Sequence, residues 1–141
     1  MNGYVKGAPM DGKLNVLQQI LDKITEESGF YGSIISSEEG LIIINSNQMD
    51  PRIEIESLAA HAASIFNEKS LLSDSDYPEN ITIDYPTRKI FIQRIYTANG
   101  LNEKSKNGFL LIILMPNNMR YFRRKANKLK NLAVELALKN L

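Results

Sequence analysis

The longest unbroken apolar run in the sequence is Phe109–Met115, which has seven residues and is followed directly by Pro116. A short continuous apolar run that ends at a proline is typical of a strand in the middle of a sheet. A membrane-spanning helix needs about 18 apolar residues in a row, so this run does not predict a membrane span. The chain is therefore predicted to fold around a sheet whose central strand is Phe109–Met115.

Helical and strand-like segments surround this run in a regular order. Four further strands are predicted, at residues 30–36, 41–46, 80–85 and 90–96. Each is a short apolar segment bounded by turn residues. Three helices are predicted from apolar spacings of three and four, between Asp11 and Ser28, at residues 53–69 and after Pro116. The strand-to-strand links are short. This order predicts an α+β fold in α/β/α layers, with a five-stranded and mainly antiparallel sheet.

Two of these segments carry more specific expectations. Leu41–Ile44 does not alternate between apolar and polar residues, so its strand is predicted to be covered on both faces. The second helix is predicted to pack on the sheet through one face, which gathers Ile55, Leu58, Ala59, Ala62 and Phe66. Ala60 and Ala63 lie on a flank of that helix, where their small side chains let another helix approach closely.

The composition is that of an ordinary globular domain, with 43% hydrophobic and 23% charged residues. Residues 1–10 are predicted to form a flexible tail without a secretory signal, and residues 11–141 to form a single domain. The absence of cysteine excludes disulfides and thiolate chemistry, and it fits a cytoplasmic location.

The sequence gives little evidence for an enzyme active site or a metal site. The segment Gly7–Lys13 has the spacing of a phosphate-binding loop, but Leu14 stands where a hydroxyl should hold magnesium and Pro9 removes a backbone donor. The acidic residues Asp74, Asp76 and Glu79 form too short a series for a calcium loop. No catalytic, cofactor-binding or metal-binding residue is predicted, and the purified chain is not expected to hydrolyse GTP or ATP.

His61 is the only histidine, and Ser57 and Ser64 lie one helical turn away from it on either side. Glu54 or Glu68 would be placed to orient its ring in a hydroxyl–imidazole pair. A charged and partly exposed helix surface explains the same residues more simply.

Charge is distributed unevenly along the chain. Residues 1–70 hold five Lys or Arg against ten Asp or Glu, whereas residues 71–141 hold twelve against six. Most of the positive excess lies in the last helix, at Arg120, Arg123, Arg124, Lys125, Lys128 and Lys130. Aromatic residues among them suggest nucleic-acid binding as an alternative, but Phe122 falls on the apolar seam of that helix. The sequence therefore does not support nucleic acid as a partner, and a solvated helix face is the favoured explanation of the charges.

The order of elements and three local features resemble the roadblock family, named for dynein light chains and including bacterial Mgl-type polarity regulators. The features are the hairpin of residues 32–43 with its acidic-glycine turn, the alanine-rich segment Leu58–Ala63, and a last strand followed by Pro116-Asn117-Asn118 and an amphipathic helix. The resemblance covers about Leu14 to Leu141.

The resemblance implies a layered fold, a dimer and a partner. The first and third helices are expected on one face of the sheet and the second on the other. A homodimer, or a heterodimer with a paralogous roadblock protein, is expected to pair the second helices and the third strands. Its predicted contact residues are Ala59, Ala60, Ala63, Asn67, Ile81 and Ile83. The family generally lacks a catalytic site and serves Ras-like small GTPases as platform or regulator.

The GTPase is predicted to bind the outward row of the second helix. Helical winding turns these residues away from the sheet-facing stripe: Glu54, Ser57, His61, Ser64 and Glu68. Two other classes of function stay open from the sequence, a small-ligand sensor or enzyme on a profilin-like scaffold and a nucleic-acid binder acting through the basic last helix.

Overall fold

The computed structural model describes residues 11–68, 72, 78–96 and 108–140 of the chain. Its three helices are α1 (Asp11–Glu27), α2 (Ile55–Asn67) and α3 (Arg123–Asn140). Its five strands are β1 (Gly32–Ser37), β2 (Ile42–Asn45), β3 (Asn80–Asp84), β4 (Arg88–Tyr96) and β5 (Gly108–Pro116). The predictions for the N-terminal tail, for the phosphate-loop spacing and for Asp74 and Asp76 lie outside the described residues.

The five strands form one antiparallel sheet in the order β2-β1-β5-β4-β3. β5 lies in the middle, where it pairs with β1 on one side and with β4 on the other. Every residue of the predicted central run, Phe109–Met115, is buried. The predicted central strand and the predicted α+β fold are both confirmed.

Two apolar clusters separate the faces of the sheet. Leu17 and Leu21 of α1 and Leu129 and Ala133 of α3 pack on one face, together with the odd-numbered residues of β5. Phe66 and the alanines of α2 pack on the other face, against the even-numbered residues of β5. Because side chains alternate along a strand, β5 supplies both clusters at once. Among the described helices, α2 is the one that packs on this face, so the expected layering is confirmed.

β2 departs in part from its prediction. Ile44 is buried in the α1–α3 cluster and Ile42 packs on the α2 cluster, so the strand does contribute to both layers. It lies at the edge of the sheet, however, and Leu41 just before it is exposed. The register of its pairing with β1 shifts between Ile35 and Ser36. This irregularity and the edge position explain why an unbroken apolar segment is only half covered.

Polar side chains of α1 close the outer side of β2. The side-chain amide of Gln18 donates to the carbonyl oxygen of Asn45, and the carboxylate of Asp22 accepts from the backbone N–H of Asn47. Beneath them, the buried Thr25 hydroxyl bonds to that of Ser33 at 2.6 Å. Edge strands with open backbone groups invite pairing with other chains, so these contacts protect this end of the sheet.

Candidate functional site

The β1–β2 turn fixes the position of α2 on the sheet. Gly40 in this turn has φ of +95°, and a Cβ built on it would lie 3.0 Å from Ala59 O and from Ala60 Cα. Only glycine combines this left-handed conformation with so close an approach. The helix has small residues at this contact, Ala59 and Ala63, which are 0% and 2% exposed. The alanine-rich segment is therefore used first for packing within the chain.

Arg94 of β4 anchors the last turn of α2. Its guanidinium donates from Nη2 to the carbonyl oxygen of Phe66 at 3.1 Å and lies 5.2 Å from the centre of the Phe66 ring. Its Nη1 is 3.8 Å from a carboxylate oxygen of Glu38, and the side chain is only 11% exposed. A cation at the carboxyl end of a helix is favoured by the partial negative charge of the unpaired carbonyls there. Arg94 has no local sequence signal, because its contacts join three separate elements.

The outward row of α2 is available to a partner. Glu54, His61, Ser64 and Glu68 are exposed and Ser57 is half-buried. Glu54 precedes the first helical residue without providing a side-chain cap. Among the described residues, none is hydrogen-bonded to His61, so no hydroxyl–imidazole pair forms with Ser57 or Ser64. The row is an acidic to polar surface without a catalytic arrangement.

The residues predicted for a dimer contact do not share one surface. Ala59 and Ala63 are covered within the chain, at 0% and 2% exposed. Ala60 and Asn67 are exposed, but they lie on the flank next to the β1–β2 turn, where the Asn67 amide donates to Glu38 O. That turn belongs to the β2 side of the sheet, whereas β3 forms the opposite edge.

The flank of α2 that faces β3 carries larger side chains. By helical winding, Leu58 and Ile65 lie seven residues apart on this flank, across the helix from Ala60 and Asn67. Ile65 is 37% exposed, and Leu58 is half-buried against the cluster that also includes Ile81 and Ile83. We call these four residues, Leu58, Ile65, Ile81 and Ile83, the β3-side patch. The seven-residue spacing of Leu58 and Ile65 is the sequence signal for this patch. The sheet-facing stripe predicted from the sequence includes Leu58, and no role is predicted there for Ile65.

Some of the basic residues of α3 have structural roles. Lys125 donates from Nζ to Ser28 O at 3.1 Å and so closes the carboxyl end of α1, whose last turn contains no basic residue. Arg123 lies over the rings of Phe91 and Phe122, at 5.3 and 5.6 Å. Three further basic residues in or just before α3 are exposed: Arg120, Arg124 and Lys128. Phe122 is buried, as predicted, and does not present its ring to a base.

Two general features bear on the class of protein. Within the described ranges, no group of three or more metal-ligating side chains comes together. In the same ranges, no helix has the length and apolar character that crossing a bilayer requires.

An antiparallel five-stranded sheet with two helices on one face and a single helix on the other defines a roadblock-type fold. The Roadblock/LC7 domain from Streptomyces avermitilis covers 84% of this chain and 95% of its own, at 13% identity and a TM-score of 0.57. MglB from Myxococcus xanthus covers 90% of this chain and 98% of its own, at 13% identity and a TM-score of 0.70. A structure titled "MglB with tetrameric arrangement" covers 100% and 99%, at 9% identity and a TM-score of 0.70.

Neither a family model nor the sequence of a curated protein matches the chain. The structural matches at these identities concern the fold, and they extend over nearly the whole length of the solved chains. The roadblock resemblance stated from the sequence is thereby confirmed at the level of the fold.

Proposed function

We propose that the chain is a non-enzymatic, dimeric roadblock-type module of the cytoplasm that binds a Ras-like small GTPase and regulates or scaffolds it. The observation that carries this proposal is a roadblock-type fold in which α2 is the one described helix on its sheet face and carries an exposed polar row.

The difference between the two sheet edges supports dimerisation through β3. The edge at β2 is short, irregular in register and bonded to side chains of α1. β3 pairs with β4 on its inner side and forms the other edge of the described sheet. An edge strand exposes backbone donors and acceptors that a second copy satisfies by strand pairing. The β3-side patch lies beside this edge, so the same contact would cover its apolar side chains.

In this proposal the second copy covers the flank of Leu58 and Ile65, and the GTPase binds the outward row. The row is formed by Glu54, Ser57, His61, Ser64 and Glu68, of which all but Ser57 are exposed. Its charge is acidic, which suits basic or polar groups on the partner, and such complementarity acts mainly on the association rate and on partner choice. A paralogous roadblock chain in place of the second copy would present the same kind of surface.

Changing Ser57 or Ser64 to arginine is expected to weaken GTPase binding by about tenfold or more, because a bulky charge at the centre of an interface is poorly accommodated. The wild-type protein is immobilised in native extract, the captured GTPase is identified by mass spectrometry and purified, and its dissociation constant is measured by calorimetry with GDP and with a non-hydrolysable GTP analogue. The melting temperature is expected to stay nearly constant for Ser64→Arg, since Ser64 is exposed.

The matched control is Asn127→Arg, which adds the same charge at an exposed position of α3 on the opposite layer. It should bind like the wild type. If Ser57→Arg and Ser64→Arg bind normally while Arg124→Glu with Lys128→Glu abolishes binding, the GTPase uses the basic helix and the α2 assignment is wrong.

A further inference from the structure

A cleft lies at the far end of the sheet from Arg94, beside the segment that leads into α2. It has a volume of about 600 Å³ and is lined by Tyr31, Asp50, Arg52, Thr87, Arg88 and Leu114. Cavities that take small ligands have volumes of roughly 300–1,000 Å³. None of the residues that line it belongs to the outward row of α2 or to the β3-side patch.

Two arginines meet at one carboxylate in this cleft. Asp50 Oδ2 lies 2.9 Å from Arg52 Nη2 and 3.4 Å from Arg88 Nη1. Asp50 Oδ1 also accepts from the backbone N–H of Arg52 at 2.9 Å and from its Nε at 3.1 Å. These hydrogen bonds from Arg52 hold the pKa of Asp50 well below its ordinary value, so the carboxyl stays ionised. Asp50 therefore fixes both guanidinium groups in place.

The charges that line the cleft do not cancel. Two guanidinium groups face one carboxylate, which leaves one positive charge in excess. The Arg52 side chain is 86% exposed and that of Arg88 is 37% exposed, so both reach solvent. The remaining donors, Nη1 of Arg52 and Nε and Nη2 of Arg88, are not bonded to any described residue. A planar guanidinium with free donors matches the geometry of carboxylate and phosphate oxygens.

The other lining groups favour a small ligand over a bare ion. Tyr31 and Thr87 supply hydroxyls, which donate to oxyanions. The exposed ring of Tyr31 supplies apolar surface on which a carbon skeleton packs.

We propose that this cleft binds the oxyanion of a small molecule, a carboxylate or a phosphate, between Arg52 and Arg88, with Asp50 positioning the two arginines. This site is separate from the surface proposed for the GTPase. The GTPase proposal neither requires nor predicts it.

Sodium phosphate and sodium acetate serve as the probes, each titrated into the full-length protein at constant ionic strength kept with sodium chloride. The backbone N–H and arginine Nε–H signals are followed by NMR. At least one probe should shift signals of cleft residues along a saturating curve. Arg88→Gln and Arg52→Gln should each weaken that binding by about tenfold, because each removes charge-assisted hydrogen bonds. The probe that saturates identifies the anion class.

Arg124→Gln is the control, since it removes an exposed arginine far along the chain on α3. It should leave the dissociation constant unchanged. Arg52 is so exposed that its variant keeps the fold even if Arg88→Gln is destabilised. The proposal is overturned if both probes give only linear, non-saturating shifts, or if binding is equally strong in Arg52→Gln and the wild type. Because no GTPase is present, either result leaves the proposed function standing.

Discussion

Replacing Gly40 by alanine is expected to lower the free energy of unfolding by about 3 kcal/mol. Part of the loss comes from holding an L-residue at φ of +95°. The rest comes from the new Cβ, which meets the α2 backbone at Ala59 O and Ala60 Cα, both at 3.0 Å. Backbone atoms of a packed helix cannot move aside as a flexible side chain does, so α2 must shift. Urea denaturation with an unchanged m-value measures the loss.

Gly29→Ala is the matched control for this substitution. Gly29 has φ of +79°, and a Cβ there meets only the terminal methyl group of Met119, at 3.3 Å. It therefore suffers the conformational penalty alone, about 1 kcal/mol. Equal losses at the two glycines would show that the close approach of α2 to the turn does not contribute to stability.

Replacing Arg94 by alanine is expected to cost about 2 kcal/mol of stability. The variant loses a charged hydrogen bond to Phe66 O and the contact of the guanidinium with the Phe66 ring. It also leaves Glu38 without a cation at 3.8 Å. The last turn of α2 should then open more readily, and this is measured as faster hydrogen exchange there than in the rest of the helix.

Arg124→Ala provides the comparison, because Arg124 is exposed and its loss should change stability by less than about 0.5 kcal/mol. If Arg94→Ala is as stable as Arg124→Ala, with unchanged exchange in α2, Arg94 is not an anchor. GTPase binding should weaken in Arg94→Ala, since the outward row depends on the position of α2.

The layered fold was predictable because its signals are local. The continuous run Phe109–Met115 indicated a central strand, and regular apolar spacings located three helices whose order confined the topology. The roles of Gly40 and Arg94 were not predictable in this way. Each depends on contacts between elements far apart in sequence, which no periodicity encodes.

The candidate sites were predictable in part for the same reason. Winding α2 as a helix located its outward row correctly as exposed, apart from the half-buried Ser57. It did not reveal which flank faces β3, because that depends on how the β1–β2 turn packs on the helix. Nor does winding show that Ala59 and Ala63 fill space next to Gly40 within the chain. The Arg52–Asp50–Arg88 arrangement also joins segments far apart in sequence.

The proposed dimer forms through β3 and the β3-side patch. Ile65→Arg tests it, because Ile65 is exposed enough to be replaced without disturbing the core of the chain. Val16→Arg is the matched control, since Val16 is an exposed aliphatic residue of α1 on the other layer. Buried Ala63 is unsuitable, because arginine there would disrupt the packing of α2 itself.

Sedimentation equilibrium of the three proteins at about ten micromolar tests this dimer. At this concentration a dimer of micromolar affinity is largely assembled. The wild type and Val16→Arg should sediment as dimers or as assemblies of dimers, and Ile65→Arg as a folded monomer. A wild type that is monomeric at this concentration, or an Ile65→Arg protein that is as dimeric as the wild type, would contradict the account.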